Sequence, residues 1–443
     1  MQVRIQPVVF GGVDWQSREK LGMELRPTPL ERAQRRLPEL REAVEGEGGE
    51  WLELCEVNSP DHVGRLVEAS RHADLVVALA SELLVVKTAA RALASVAVPV
   101  ALIGEESYPG PFFADVYGAL KADGVDAYLA LDAADLASLV RVLRTQRRLA
   151  GTRALLIGDG YPSHSQVANP GSPRIVEEAL GVEIVQRSIR DLRELWEATD
   201  EDRAQEQARA WLEGASEVAE EARRDIVQCA KLYLAMDTML QEAAANALTV
   251  DCRSWDLMSC QEFGTFCSPC MGLTHFRWRG IPAACEADLC ALLAMCLLTY
   301  VSDLPAFLGN IGRVYRERGS VQIGGHAACT VDMEGTGGEL AGYRLTDYGG
   351  RGGVASYCAI EAGRPVTIGR FDKSLRRLSV AIGETVATER GFEVALGDVE
   401  DFMHRCLVGD HYIVVYGHHL EVISRVAERL GIEVLTPRSA PAQ

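Results

Sequence analysis

The chain has 443 residues, 48% hydrophobic and 24% charged, and its 45 basic against 63 acidic side chains leave a formal net charge of −18. Such a length calls for two to four domains whose cores need no disulfide staples. The acidic balance speaks against a nucleic-acid partner, and no apolar run reaches the roughly 18 residues of a membrane span.

The opening residues 1–11 read as a strand (Val3, Ile5, Val8, Val9, Phe10) rather than as a charged head before an apolar run. The twelve cysteines that follow then suggest free thiols in a reducing, cytoplasmic compartment. Residues 29–44 form a charged helix, 45–50 a loop, 51–57 a strand and 62–72 a helix. Runs at 73–80, 99–103 and 125–131 are apolar strands, and 134–149 is a helix. Continuous apolar strands alternating with helices mean a parallel sheet covered on both faces. A second unit begins at 153–157, with a short strand at 181–185, a strongly helical stretch over 200–245 and a strand at 247–252. From about 320, short β runs punctuated by glycine dominate, at 321–323, 341–345, 354–361, 365–370 and 378–382. They imply an antiparallel sheet or barrel. The end returns to strand and helix, at 412–416, 421–430 and 432–435. The expected architecture is α/β: two flavodoxin-like doubly wound parallel-sheet units (1–150 and 151–320) and a β-rich C-terminal domain (321–443).

Several motifs stop short of a function. Gly158-Asp159-Gly160 follows a strand, but Ser163 stands where a dinucleotide loop needs its third glycine. Gly349-Gly350-Arg351-Gly352-Gly353 lies between strands and offers no helix N-terminus to a phosphate. Cys267-Ser268-Pro269-Cys270 has C-x-x-C spacing without a second pair for zinc, so buried structural thiols are the simplest reading. No G-x-S-x-G, Walker loop or H-E-x-x-H occurs.

Residues 281–318 carry more chemistry. Glu286 and Asp288 open an apolar helix that runs to about Tyr300, where acids also suit the helix dipole. The next strand, 305–308, ends at Gly309-Asn310, and strand ends are where open α/β sheets hold ligands. His326 follows the β run at 321–323, and His411 precedes the strand 412–416. Two histidines with a carboxylate suit Mn, Fe, Co or Zn.

Four stretches then resemble the L-fucose isomerase and L-arabinose isomerase superfamily, especially its shorter fucose-isomerase-like members. They are 247–255 with Arg253, 280–288 (GIPAACEAD) with its helix and 305–311, 346–370 (TDYGGRGGVASYCAIEAGRPVTIGR), and 409–435 with HYIVVYG. The resemblance implies that Glu286 is the first acidic ligand and base, and that His326 and His411 are ligands. It sets Asn310 where the family has its second acidic ligand and base. It implies manganese, a monosaccharide or sugar-acid substrate, and a homo-oligomer (trimer or hexamer) in which a neighbour helps close the site. It sets Arg253 in the stretch that faces the sugar, where a surface or structural ion pair is the other reading; Asp410, beside His411, is a further candidate for substrate contact.

Asparagine keeps a carbonyl oxygen but removes a charge and cannot act as a base. Three functions follow: an aldose–ketose isomerase working through an enediol, with another acid such as Asp303 or Asp332, or a metal-bound hydroxide, replacing the missing one; a one-base epimerase or lyase on a sugar or sugar acid; or a non-catalytic carbohydrate-binding or assembly relative. Asp410 is expected to orient the His411 imidazole or to cap a turn.

Overall fold

The computed structural model describes residues 2–11, 28–81, 86–103, 110–158, 169–252, 267–324, 326, 333, 335, 342–347, 352–388 and 391–438. The chain divides into two compact units, Met1–Arg147 and Arg148–Gln443.

In the first unit, β1 (Val3–Phe10), β2 (Gly49–Trp51), β3 (Cys55–Val57), β4 (Leu75–Ser81), β5 (Val100–Ile103) and β6 (Ala127–Ala130) form one parallel sheet. Its order is β2-β1-β4-β5-β6, with β3 following β2 along the same edge of β1. The single strand expected over 51–57 is thus two short ones. Pro7 of β1 has no N–H to give, and in the gap the Gln6 side-chain amide donates to the Glu53 carbonyl at 2.7 Å. Successive residues of β4 enter opposite cores, Leu75, Val77 and Leu79 on one face, Val76 and Ala78 on the other. Both faces are covered, as near-continuous apolar strands require.

The second unit starts with β7 (Arg153–Ile157) and β8 (Glu183–Arg187). The stretch expected as one long helical region is instead two helices, Glu201–Gly214 and Glu220–Glu242, separated by β9 (Ala215–Val218). Tertiary pairing overrides local helix preference there: β9 runs parallel to β14 (Tyr343–Thr346), and Tyr343 Oη donates to the Trp211 carbonyl at 2.7 Å. With β10 (Ala247–Val250) and β11 (Ala283–Cys285), the parallel sheet has the order β11-β10-β7-β8.

The remaining strands are β12 (Phe307–Tyr315), β13 (Ser320–Gly324), β15 (Ala355–Tyr357), β16 (Pro365–Phe371), β17 (Arg377–Val386), β18 (Phe392–Ala395), β19 (His411–Tyr416) and β20 (Glu433–Leu435). The run β16-β19-β12-β13-β18-β17 is antiparallel throughout and closes, because β17 pairs back onto β16. Of the antiparallel sheet or barrel that the C-terminal pattern allowed, the structure has the barrel. Phe307, Ile323, Ile368, Tyr412 and Val414 fill its interior. By alternation His411 and Asn310 face outward.

Asn310 does not end a strand of an open sheet, as the sequence suggested. It lies inside β12 of the barrel, which runs on to Tyr315. A register shift between Ile311 and Val314 marks a bulge just beyond it.

The helix Leu289–Ser302 packs on β16 and β19 of the barrel and on β10 and β11 of the parallel sheet. It is buried on every side from Leu289 to Val301, which explains why its sequence is apolar all round. Its N-terminus therefore opens where the carboxyl ends of β10 and β11 meet the outer face of the barrel. Among the described residues, no helix is long and apolar enough to cross a membrane.

Candidate metal centre

Glu286 is not the first residue of the apolar helix but part of the turn between β11 and that helix. Glu286 and Ala287 both take left-handed conformations, with φ of 59° and 51°. For residues with a Cβ this costs on the order of 1–3 kcal/mol each. The turn is held from outside: the Ala287 N–H donates to the Val250 carbonyl at 3.0 Å, and Asn169 Nδ2 donates to the Ala287 carbonyl at 2.8 Å. The Leu289 N–H in turn donates to Asn169 Oδ1 at 2.9 Å.

Asp288 is the helix N-cap, its Oδ1 accepting from the Ala291 N–H at 2.9 Å. Its Oδ2 accepts from Arg370 at 2.7 Å and from His411 Nδ1 at 2.8 Å. All three side chains are fully buried. Burial opposes the Asp288 charge, but the Arg370 guanidinium and the His411 contact outweigh it and hold this carboxyl down at about 2. Arg370 also donates to the His411 carbonyl at 3.0 Å, so one guanidinium fixes both the acid and the strand end.

A ring that gives its Nδ1 proton to a carboxylate can present Nε2 as a lone-pair donor to an ion. His411 Nε2 lies 2.9 Å from His326 Nε2 and 3.8 Å from Glu286 Oε2. Two ring nitrogens this close must share something, a proton or an ion. Nitrogen ligands sit about 2.0–2.1 Å from a metal such as zinc, which puts neighbouring donors roughly 2.9 Å apart at a right angle and roughly 3.3 Å apart in a tetrahedron. One donor atom each from Glu286, His326 and His411 lies within 4.8 Å of the others. Two imidazoles and a carboxylate are a fitting donor set for a divalent transition metal and leave positions open. A second grouping, Asp288, Asp410 and His411, meets the same distance limit. It offers less, since the Asp288 oxygens already serve Arg370, His411 and the Ala291 amide.

Asn310 pairs in register with His411 on one side and Gly324 on the other, so β13, β12 and β19 bring His326, Asn310 and His411 to one end of the barrel. Its Nδ2 donates to Asp410 Oδ2 at 3.3 Å. Asp410 is exposed, and its Oδ1 accepts from the His411 backbone N–H at 2.9 Å. The acid that orients the His411 ring is thus Asp288, not Asp410. Arg253 and Asp332 lie outside the described residues. Asp303 caps the far end of the 14-residue helix, about 20 Å along its axis from Asp288, and pairs with Arg148 at 2.7 Å. It cannot supply a second base here.

Arg370, Asn169 and Cys285 were missed in the sequence. Arg370 had a signal: a lone charge in the strand Val366-Thr367-Ile368-Gly369-Arg370-Phe371 calls for a buried partner. Cys285 Sγ lies 3.0 Å from His326 Nδ1, although its irregular spacing from other cysteines gave no hint of it. In the C-x-x-C stretch, Cys267 is buried and Cys270 opens the helix Cys270–Trp278, and the two do not form a disulfide. No protein-family model matches this chain, and no curated protein matches it.

Proposed function

We propose that this chain is a metal-dependent aldose–ketose isomerase of the fucose/arabinose type, acting on a monosaccharide through an enediol. The observation that carries the proposal is the convergence of Glu286, His326 and His411, with the His411 tautomer locked by a buried Asp288–Arg370 pair. The sheet orders support the family's two flavodoxin-like units. Counting β2 and β3 as one edge strand, the first sheet runs 2-1-3-4-5, and the four strands of the second run 2-1-3-4. Manganese as the ion, a homo-oligomer and a cytoplasmic location belong to the same proposal.

When bound, a divalent ion supplies Lewis-acid stabilisation of the negative charge that develops on the sugar oxygens. Glu286, on a clamped turn and partly open to solvent, takes the proton from carbon and returns it to the neighbouring carbon. His326 and His411 would supply the other ligands to that ion. Asn310 hydrogen-bonds a hydroxyl or carbonyl but moves no proton. Beside it, Asp410 offers a carboxylate within hydrogen-bonding distance of the Asn310 amide. A one-base epimerase or lyase is the second reading, favoured by the same Asn310 amide.

Asn310→Asp separates the two. Metal-loaded parent and variant are assayed on a panel of aldoses in deuterated water. Two bases acting in an isomerase predict a rise in kcat/KM of about 10²–10⁴ with solvent label in the ketose product. No gain on any aldose points to the one-base reaction.

A further inference from the structure

Cys252 and Cys285 stand at the carboxyl ends of β10 and β11, neighbouring parallel strands in which Val250 pairs with Cys285. Both thiols are free; Cys252 is partly exposed and Cys285 is buried. The Glu286 N–H donates to Cys252 Sγ at 3.2 Å, and the Cys285 side chain is hydrogen-bonded to that of Cys252. On its other flank Cys285 Sγ meets His326 Nδ1 at 3.0 Å. The two thiols are thus neighbours across adjacent strand ends, and each also meets a residue of the candidate metal centre, Cys252 the Glu286 backbone and Cys285 the His326 ring. The proposed isomerisation uses neither of them.

We propose that Cys252 and Cys285 form a reversible dithiol–disulfide couple, oxidised by a hydroperoxide, that turns down ion binding at Glu286, His326 and His411. The consequence for ion binding rests on the metal reading above; the couple itself does not. The sulfur of Cys252, the partly exposed residue of the two, attacks a peroxide oxygen. The O–O bond breaks, leaving Cys252 sulfenic acid and releasing water, or an alcohol from an organic peroxide. The Cys285 sulfur then attacks the Cys252 sulfur. An S–S bond forms, the S–OH bond breaks, and hydroxide leaves with the Cys285 proton as water. Two thiols lose two electrons in total and one hydroperoxide gains them. An accessible thiol poised beside a resolving thiol is the arrangement that stops oxidation at the reversible stage. A thiol pool of the cytosolic kind would reverse it by exchange. Closing the bond draws Cys285 away from His326 and Cys252 away from the Glu286 amide. Glu286 directly follows Cys285 on a strained turn, so both donors lose their present supports.

The test is peptide mapping of the full-length protein after treatment with hydrogen peroxide, paired with calorimetric titration of Mn²⁺ into the reduced, oxidised and phosphine-rereduced forms. The expected result is a Cys252–Cys285 link, an Mn²⁺ affinity lowered about 10–100-fold, the scale for losing a ligand's outer support, and its recovery on rereduction. Sulfinic or sulfonic acid without that link, a link between other cysteines, or the link with unchanged Mn²⁺ affinity would each overturn the proposal. The link formed in a protein that binds no Mn²⁺ when reduced would support the couple and overturn the metal reading.

Discussion

Asp288 and Arg370 are opposite charges taken wholly out of water within hydrogen-bonding distance. Such a pair contributes little beyond what an apolar pair would, but breaking it leaves a bare buried charge. The Asp288 carboxyl is held below its ordinary value of 3.8, at about 2. A depressed carboxylate stabilises the fold fully above its unfolded pKa and loses that contribution as pH falls through the folded one. The window is therefore about pH 4 down to about pH 2, and a shift of about two units corresponds to about 2–3 kcal/mol. Asp288→Asn should cost about 3–5 kcal/mol at neutral pH by stranding Arg370. It should also flatten the acid dependence in that window and weaken Mn²⁺ binding about 10–100-fold through the freed His411 ring. Urea unfolding at stepped pH, with Mn²⁺ titration of the folded variant, measures all three. Unaltered Mn²⁺ affinity would show that the Asp288–His411 bond does not set the ligand.

Elements differed in how much of them the sequence carried. The helix Leu289–Ser302 was legible because an unbroken apolar run of that length has to be buried. The barrel was legible as short antiparallel runs, but not its closure, since the β12–β19 pairing joins residues about a hundred positions apart and no local pattern encodes it. The place of Asn310 failed for that reason: Gly309-Asn310 reads as a strand end, yet β19 and β13 pair on either side of it and carry the strand onward. The turn at Glu286 was hidden because Cys-Glu-Ala-Asp contains no glycine to announce positive φ. The loop before β19 allows a test at this scale. A Cβ on Gly409 would lie 2.1 Å from Arg370 Nε and 2.7 Å from its Cζ. Arg370 cannot swing aside as a surface arginine would, because both ends of its fork are tied to Asp288. Gly409→Ala should therefore cost about 1–3 kcal/mol by overpacking. It should also weaken Mn²⁺ binding although it alters no ligand. Calorimetric melting and Mn²⁺ titration check this, and destabilisation with full Mn²⁺ affinity would mean that Arg370 supports the strand but not the metal centre.

For the whole molecule, the decisive fact is that all three donors belong to one compact unit, Arg148–Gln443, while Met1–Arg147 has its own sheet and its own two cores. Separate cores predict two resolvable heat-absorption peaks. A ligand that binds only the native form adds RT ln(1 + [L]/Kd), about 2.7 kcal/mol at a hundredfold excess over Kd. Mn²⁺ should therefore raise the melting temperature of the second unit by several degrees and leave the first where it was, with a chelator reversing the shift. The competing effect is general: a chain of net charge −18 repels itself, and any cation relieves that repulsion. Screening acts on both units and is reproduced by sodium chloride at matched ionic strength, whereas site binding is confined to one peak and survives added salt. Equal shifts of both peaks, matched by salt, would reduce Glu286, His326 and His411 to a polar cluster with no ion to hold. A shift confined to the second unit that His411→Ala abolishes would tie the stabilisation to the ring that Asp288 and Arg370 hold in place.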